Sequence, residues 1–197
     1  MSGNTGSVTL TNNGGDAKAV GSGGGSFTFT PQLDGSVINV AISSQPAGQT
    51  CLVTNGSGTI VGANVTNVLV TCTSNTYTLG GSISGLSATG LTLTLSGSKS
   101  GTVNPVSGAT SYTFTQTLIN GETYSVSITG QPAGQTCTIV NASGTVATSN
   151  VSNIDVSCTT NSSSSASSAA SSVASSEASS VASSEASSVA SSAASSA

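Results

Sequence analysis

The sequence predicts an all-β protein made of two tandem copies of one cysteine-containing module, followed by a low-complexity tail. The stretch QPAGQTC occurs twice, beginning at Gln45 and again at Gln131, at an offset of 86 residues. A second cysteine follows each copy at the same distance, which gives the matched pairs Cys51 with Cys72 and Cys137 with Cys158. A period of this length is too long for a solenoid unit and suits a small domain.

Short runs that alternate apolar and small polar residues recur in the same order in both copies. A period of two is typical of strands with one buried and one solvated face. The matched runs are SVTLT at Ser7 with LTLTL at Leu91, SFTFT at Ser26 with SYTFT at Ser111, and VINVAI at Val37 with YSVSI at Tyr124. Roughly seven such strands in roughly 85 residues predict an antiparallel sandwich of immunoglobulin type. The antibody signature is absent, since the chain has no Trp.

The repeat and the change in composition divide the chain into three predicted segments. These are a first immunoglobulin-like module over residues 1–74, a second over residues 75–160, and a Ser/Ala-rich linker or tail over residues 161–197. Only Thr73–Thr76 separate Cys72 from Tyr77, so we expect a stiff junction between the modules. We expect a flexible tail, because its four-residue period drifts about 40° per step on a helix and builds no lasting face.

The first module is expected to lack its first strand. Its sequence starts at about the equivalent of Leu86, so it has no counterpart of YTLGGSISGL, which begins at Tyr77. A sandwich without this strand has an open edge. One interpretation is truncation of a longer array. The other is a docking site for a strand from another chain, with YTLGGSISGL as a candidate donor.

Four equally spaced cysteines predict one structural disulfide in each module and an oxidising compartment. Each disulfide would close a loop of roughly 20 residues and stabilise the fold by about 3 kcal/mol. The predicted core is otherwise Val, Ile and Leu, together with Phe27, Phe29, Tyr112, Phe114 and Tyr124. Met1 is followed by SGNTGSV, which has none of the features of a signal peptide. We therefore interpret the chain as a fragment of a longer secreted or surface protein.

The composition argues against catalysis, cofactors and most ligand classes. The chain has no His and no Arg, two Lys, and a net charge of −4. Nucleic-acid binding is excluded because it needs a basic surface, and membrane insertion because no run is long and apolar enough. Zinc is disfavoured without His or closely spaced cysteines. No serine has an activating base, and both lysines are expected in exposed loops.

The remaining candidate site residues are few. Asp34 and Glu122 occupy equivalent turns, where solvated loop carboxylates are expected rather than a catalytic pair. Asp16 with Asp34 offers only two carboxylates for calcium, without a ligand pattern. Tyr77 is the least constrained aromatic residue and the candidate ligand contact, for example to a polysaccharide or a cell-surface ligand.

Both modules resemble a repeat of large secreted and surface proteins of bacteria. The likeness rests on YTLGGSISGL, QPAGQTC and NVSNIDVSC, and it is most specific at Gln45–Cys72 and Gln131–Cys158. It implies an immunoglobulin-like sandwich used as a repeated extracellular module, with no catalytic residues. The tail resembles linkers of secreted polysaccharide-degrading enzymes from aquatic bacteria. The first module departs from the repeat by lacking the opening strand.

The sequence therefore predicts a non-enzymatic extracellular spacer or stalk whose partners are other domains of a longer chain. One alternative is an adhesion or carbohydrate-binding module. Another is a subunit that self-assembles by strand donation at the open edge of the first module.

Overall fold

The computed structural model of the protein describes residues 1–161, which contain fourteen β-strands and no helix. Met1–Asn161 form one compact unit. Since the prediction for the tail concerns residues 161–197, nearly all of it lies outside the described residues. We call residues 1–74 the first repeat and residues 75–160 the second repeat; as domain boundaries, these limits stay a prediction.

The first repeat has six strands and the second has eight. Those of the first repeat are β1 Val8–Asn12, β2 Gly15–Val20, β3 Val37–Ser44, β4 Gln49–Thr54, β5 Ser57–Thr59 and β6 Leu69–Ser74. Those of the second repeat are β7 Thr76–Ser84, β8 Thr92–Gly97, β9 Gly101–Val103, β10 Ser111–Ile119, β11 Thr123–Gly130, β12 Gln135–Ile139, β13 Ser143–Thr145 and β14 Val156–Thr160.

The second repeat consists of two four-stranded sheets with one shared core. The strand orders are β10-β7-β14-β12 and β13-β11-β8-β9. Alternate side chains from both sheets enter one buried cluster, as the period of two predicted; Leu93 and Leu95 of β8 are fully buried while Thr92 and Thr94 face away. All strand pairs are antiparallel except β7 with β14, which is parallel, so the expectation of a purely antiparallel arrangement is wrong there.

The first repeat has one complete sheet and one incomplete sheet. Its order β2-β1-β3-β5 matches β9-β8-β11-β13, but its second sheet contains only β4 and β6. The predicted strand at Ser26–Thr30 is wrong, since these residues form no strand. The physical reason is the absent neighbour: the equivalent β10 pairs with β7, and the first repeat has no strand to take the place of β7. A strand without a hydrogen-bonded partner does not form.

The first repeat begins slightly earlier than the sequence predicts. Gly3 and Gly85 occupy equivalent positions, with φ of 82° and 72°, and each lies against the carbonyl oxygen of the second cysteine of its repeat. Met1 therefore matches Ile83, not Leu86. Four residues of the opening segment, the counterparts of residues 83–86, are present, and this sequence has no counterpart of Tyr77–Ser82.

Both predicted disulfides are present and lie across strand pairs. Cys51 of β4 is opposite Cys72 of β6, and Cys137 of β12 is opposite Cys158 of β14. The Cα–Cα distance is 3.9 Å in each pair. All four cysteines are buried, so each bridge fastens the sheet that carries it from within the core.

Candidate functional site

The first glutamine of QPAGQTC holds the main chain of the cysteine strand. Gln131 accepts a hydrogen bond from the Cys137 N–H at 2.8 Å and donates to the Cys137 carbonyl at 3.0 Å. Gln45 makes the same pair of bonds to Cys51, at 2.8 and 3.1 Å. This two-point contact accounts for the spacing that the chain's two copies share, and it gives both amides a structural role.

The second glutamine fastens the opening segment of each repeat. Gln135 is 4% exposed; its Oε1 accepts from the Ser87 and Ala88 N–H groups at 2.9 Å and its Nε2 donates to Gly85 at 2.7 Å. In the first repeat, the equivalent Gln49 bonds to the main chain of Gly3 and Thr5 in the same way. The motif that identified the repeat is therefore structural, because buried polar groups need such partners.

The candidate functional site is a groove of about 740 Å³ in the first repeat. Its floor is formed by Ile38 and Val40, which are buried residues of β3. One wall is the segment Gly25–Gln32 and the other is the segment Asn64–Leu69. Met1, Asn12 and Ile60 complete the lining.

The groove lies where β7 lies in the second repeat. There β7 is hydrogen-bonded to β10 on one side and to the segment around Val151 and Ile154 on the other. The two walls of the groove are equivalent to those neighbours of β7. SFTFT at residues 26–30 corresponds to SYTFT at residues 111–115, and NVTNVL at residues 64–69 corresponds to NVSNID at residues 150–155. The groove therefore corresponds to the position of β7, for which the described part of the first repeat has no equivalent strand.

The groove is uncharged and partly aromatic. No Asp, Glu or Lys side chain lines it. Phe27 and Phe29, which were predicted as core, are only partly buried and meet edge to face with ring centres 5.8 Å apart. Their equivalents Tyr112 and Phe114 are buried. This lining suits a neutral occupant with apolar side chains.

One carboxylate beside the groove and one in the second repeat have lowered pKa values. The Thr30 backbone N–H, with a smaller contribution from Lys18, lowers the pKa of Asp16. In the second repeat, the Ser82 hydroxyl and then the Ser82 N–H lower the pKa of Asp155. Both shifts come from hydrogen bonds to the charged form, as in structural carboxylates, and neither group faces a second carboxylate as a general acid would.

Burial raises the pKa of the Tyr112 hydroxyl, and the nearby Asp155 charge adds to the effect. This hydroxyl donates to the Ile154 carbonyl at 2.8 Å inside the core. It therefore stays protonated and stabilises the fold.

The prediction that both lysines lie in loops is wrong for Lys18. This residue lies on β2 and pairs with Asp16 at 3.1 Å. It lies on a strand because the hairpin turn between β1 and β2 is tighter than the Gly-rich sequence indicates.

The structure does not bring the other predicted site residues together. Tyr77 lies on β7 and packs against the core of the second repeat, opposite Leu118. Its role as a ligand contact stays a prediction. Glu122 accepts a hydrogen bond from the Ile119 N–H of its own turn, whereas Asp34 accepts one from the Gly62 N–H, 28 residues further along the chain.

Within residues 1–161 no cluster of three or more His, Cys, Asp or Glu side chains could hold a metal ion. The same part of the chain contains no helix long and apolar enough to cross a bilayer.

The sequence predicted the open edge of the first repeat, but it did not predict the groove or its rim residues Asn64 and Val65. The signal for them is the self-alignment, which places NVTNVL beside the absent strand.

Comparison with protein-family models and with curated proteins gives no match. Two crystal structures of the pilus adhesin SpaC from Lactobacillus rhamnosus GG are similar to this chain. The open-conformation structure is 14% identical over 78% of this chain and 28% of the adhesin, with a TM-score of 0.30. The other has the same identity and coverage, with a TM-score of 0.29. The chain spans less than a third of the adhesin, and at these TM-scores the likeness assigns no function.

Proposed function

We propose that the chain is a non-catalytic extracellular spacer or stalk from a secreted or surface protein of bacteria. Its two repeats act as immunoglobulin-like sandwich modules, residues 1–74 and 75–160, and the Ser/Ala-rich tail extends their reach toward other domains of a longer chain. The observation that carries this proposal is the junction between the repeats. A spacer must hold its modules in a fixed orientation, and this requires non-covalent contacts at the junction in addition to the covalent linker.

The junction consists of a single residue. Strand β6 ends at Ser74 and β7 begins at Thr76. Asn75 between them donates its N–H to the Gly48 carbonyl at 2.8 Å, and its side chain accepts a hydrogen bond from Thr50 at 2.8 Å. These bonds fix Asn75 to the first repeat, and β7 starts at the next residue.

A contact between the repeats adds to this restraint. Gly48 is buried and lies so close to Asn120 of the second repeat that a Cβ atom at this position would overlap the Asn120 side chain. The equivalent Gly134 is exposed and has open space around it. The difference supports direct packing of the turn before β4 against the second repeat.

The end of the second repeat is built like the end of the first. Asn161 donates its N–H to the Gly134 carbonyl at 2.9 Å and accepts from Thr136 at 2.7 Å, as Asn75 does with Gly48 and Thr50. This equivalence supports a modular unit that closes at an asparagine, and it is what a chain of stiff, repeated units requires.

Backbone ¹⁵N relaxation of the full chain tests the spacer. We expect the two repeats to share one rotational correlation time, because the junction couples their tumbling. Insertion of GGSGGS after Asn75 should give each repeat a shorter correlation time of its own, whereas the same insertion after Asn161 should leave them coupled. Independent tumbling of the repeats in the unmodified chain would contradict the proposal.

A second candidate function, an adhesion or carbohydrate-binding module, is favoured by the groove with its pair of aromatic rings. Retention of the full chain on neutral polysaccharide columns would support it. Retention should then be lost in Phe29→Ala if the groove binds sugar, and in Tyr77→Ala if the predicted contact does. No retention, or retention that both variants leave unchanged, would count against this candidate.

A further inference from the structure

We propose that the second repeat is a tension-bearing unit, in which the parallel pair of β7 and β14 carries force along the chain in shear. The proposal rests on the spacer function and deepens it, because a spacer that holds other domains at a distance is loaded through its two ends. The observation that carries it is the place of these strands in the chain. Strand β7 is the first strand of the second repeat and β14 is the last.

The first and last strands are direct neighbours and run in the same direction. Their pairing joins Ile83–Ser84 to Val156–Ser157. A further parallel bridge joins Leu79 to Val151. The chain therefore enters at one end of the pair and leaves at the other end. Tension draws the two strands past each other along their length, so the evenly spaced bonds between them are loaded together rather than one after another.

Hydrogen bonds hold the first half of β7 to the segment before β14. The Thr78 N–H donates to the Asn150 side chain at 3.0 Å. The Val151 N–H donates to the Thr78 carbonyl and the Gly80 N–H donates to the Val151 carbonyl, both at 2.9 Å. The Ile154 N–H donates to the Gly80 carbonyl at 3.3 Å. All of these bonds must lengthen at once when β7 slides.

The second half of β7 is held through a carboxylate. Ser82 donates its N–H and its hydroxyl to Asp155, at 2.9 and 2.7 Å. The Ser84 hydroxyl donates to the Val156 carbonyl at 3.4 Å. Hydrogen bonds to a charged acceptor are stronger than neutral ones. Asp155 therefore anchors this part of the strand.

Apolar side chains of β7 add to the resistance. Leu79 is fully buried and Ile83 is nearly so, and both belong to the shared core of the second repeat. Strand β7 cannot slide without withdrawing them from the core, which exposes apolar surface to water. Strand β10 pairs with the other edge of β7 and restrains the same movement.

The disulfide of the second repeat fixes the other partner of the pair. Cys158 of β14 is bonded to Cys137 of β12, so force that leaves through the end of β14 also reaches β12 through a covalent bond. Strand β14 cannot leave its sheet without β12, and we expect β7 to be the strand that yields. After it yields, residues 138–157 lie in a closed loop and are not extended until the disulfide is reduced.

The first test compares two directions of pulling on the oxidised full chain by single-molecule force spectroscopy. In one, handles are attached to the two ends of the chain. In the other, the second handle is attached at Ser149, which is exposed and precedes Asn150 beside the start of β7. This second geometry peels the pair apart bond by bond. We expect a rupture force several-fold higher for the second repeat when the chain is pulled through its ends.

The length of each unfolding step assigns the event to a repeat. Residues 76–137 are released before the disulfide of the second repeat, and residues 1–51 before that of the first. Dithiothreitol added after unfolding reduces the disulfide to two thiols and is itself oxidised. The 21-residue separation of Cys137 and Cys158 should then add about 70 Å, at roughly 3.3–3.6 Å per extended residue.

A matched pair of variants tests the path of the force. Ser82→Ala removes one exposed hydroxyl bond between β7 and Asp155. Thr129→Val removes one exposed hydroxyl bond between β11 and β8, where Thr129 and Thr94 lie 2.7 Å apart, outside the path. We expect Ser82→Ala to lower the end-to-end rupture force and Thr129→Val to leave it unchanged. Similar urea midpoints of the two variants would show that the difference is not one of overall stability.

Three results would overturn the proposal. The first is an equal rupture force in the two pulling directions. The second is an equal loss of rupture force in Ser82→Ala and Thr129→Val. The third is an unfolding step that includes residues 138–157 before any reductant is added.

These results are distinguishable from a failure of the spacer function. Repeats that tumble independently would contradict the spacer, yet the rupture force of the second repeat would be unaffected. Repeats that tumble together with a low rupture force would leave the spacer in place and contradict only its tension-bearing role.

Discussion

The two repeats share a sequence pattern, yet one leucine ends up in opposite environments. Leu118 on β10 is fully buried, whereas Leu33, which follows SFTFT as Leu118 follows SYTFT, is 83% exposed. The alternating runs are nearly the same, and the main local difference is Pro31, which stands where the second repeat has Gln116 and removes one backbone N–H. The second repeat also has β7, which gives β10 a partner and covers the core. Strand formation in this protein depends on the neighbouring strand.

The largest expected effect comes from removing each disulfide in turn. Cys51→Ala/Cys72→Ala and Cys137→Ala/Cys158→Ala should each destabilise their repeat by about 3 kcal/mol, from the lost restraint on the unfolded chain. The first repeat has the smaller buried cluster and an open groove. We therefore expect that, of the two repeats, only the first unfolds in the absence of denaturant once its disulfide is removed. Hydrogen exchange resolved by residue would show this. Unfolding of the second repeat first would contradict the comparison.

Truncation of the two equivalent leucines gives the next largest difference. Leu118→Ala should cost about 2–5 kcal/mol because it leaves a cavity in a fully buried site. Leu33→Ala should change stability by about 0.5 kcal/mol or less, as exposed positions do. Urea unfolding monitored separately for each repeat measures both. A large effect of Leu33→Ala would mean that the groove is already covered in solution.

The equivalent glycines of the two motifs test the junction. Gly48 and Gly134 have φ of 70° and 69°, so alanine at either position should cost about 1–2 kcal/mol in backbone strain. Gly48→Ala should cost more, because its Cβ meets Asn120, while that of Gly134→Ala meets nothing. Denaturant unfolding gives the two values. Asn120→Gly should restore the additional stability that Gly48→Ala loses relative to Gly134→Ala. If it does not, the contact between Gly48 and Asn120 does not contribute to the junction.

The smallest expected difference is a dependence on acid. Hydrogen bonds from Ser82 lower the pKa of Asp155 below its ordinary value of 3.8, so the folded protein binds fewer protons there than the unfolded chain. The resulting stabilisation is present above that value and is lost as the pH falls through the folded-state pKa. Asp155→Asn should therefore flatten the acid limb of the stability profile of the second repeat, and Ser82→Ala should flatten it partly. An unchanged profile in Asp155→Asn would contradict this.

The sequence predicted the strands that form one face of each core, and it predicted both disulfides. LTLTL at Leu91 and VINVAI at Val37 alternate so regularly that burial of one face follows from the pattern alone. SFTFT at Ser26 alternates equally well and still forms no strand, because hydrogen bonding requires a neighbour that no local pattern reveals. The parallel pairing of β7 with β14 joins residues far apart in sequence, and it could not be read from either segment.

The candidate site could be predicted only in outline. The self-alignment showed that a strand is missing, but not that the space would stay open or that Val65 would line it. Likewise, both glutamines of QPAGQTC marked the repeat, while their roles became clear only from their main-chain partners. Polar residues that hold the backbone and polar residues that bind ligands look alike in a sequence, and geometry distinguishes them.

The most direct test of the central claim is amide hydrogen exchange at SFTFT and SYTFT in the full chain, with and without TYTLGGS, the sequence of Thr76–Ser82, fused before Met1. The account predicts fast exchange at residues 26–30 and slow exchange at residues 111–115 in the unmodified chain. In the fused chain both segments should exchange slowly, and Leu33 should become protected as Leu118 is. Equal exchange of the two segments without the fusion, or fast exchange at residues 26–30 despite it, would show that the missing strand does not explain the difference between the repeats.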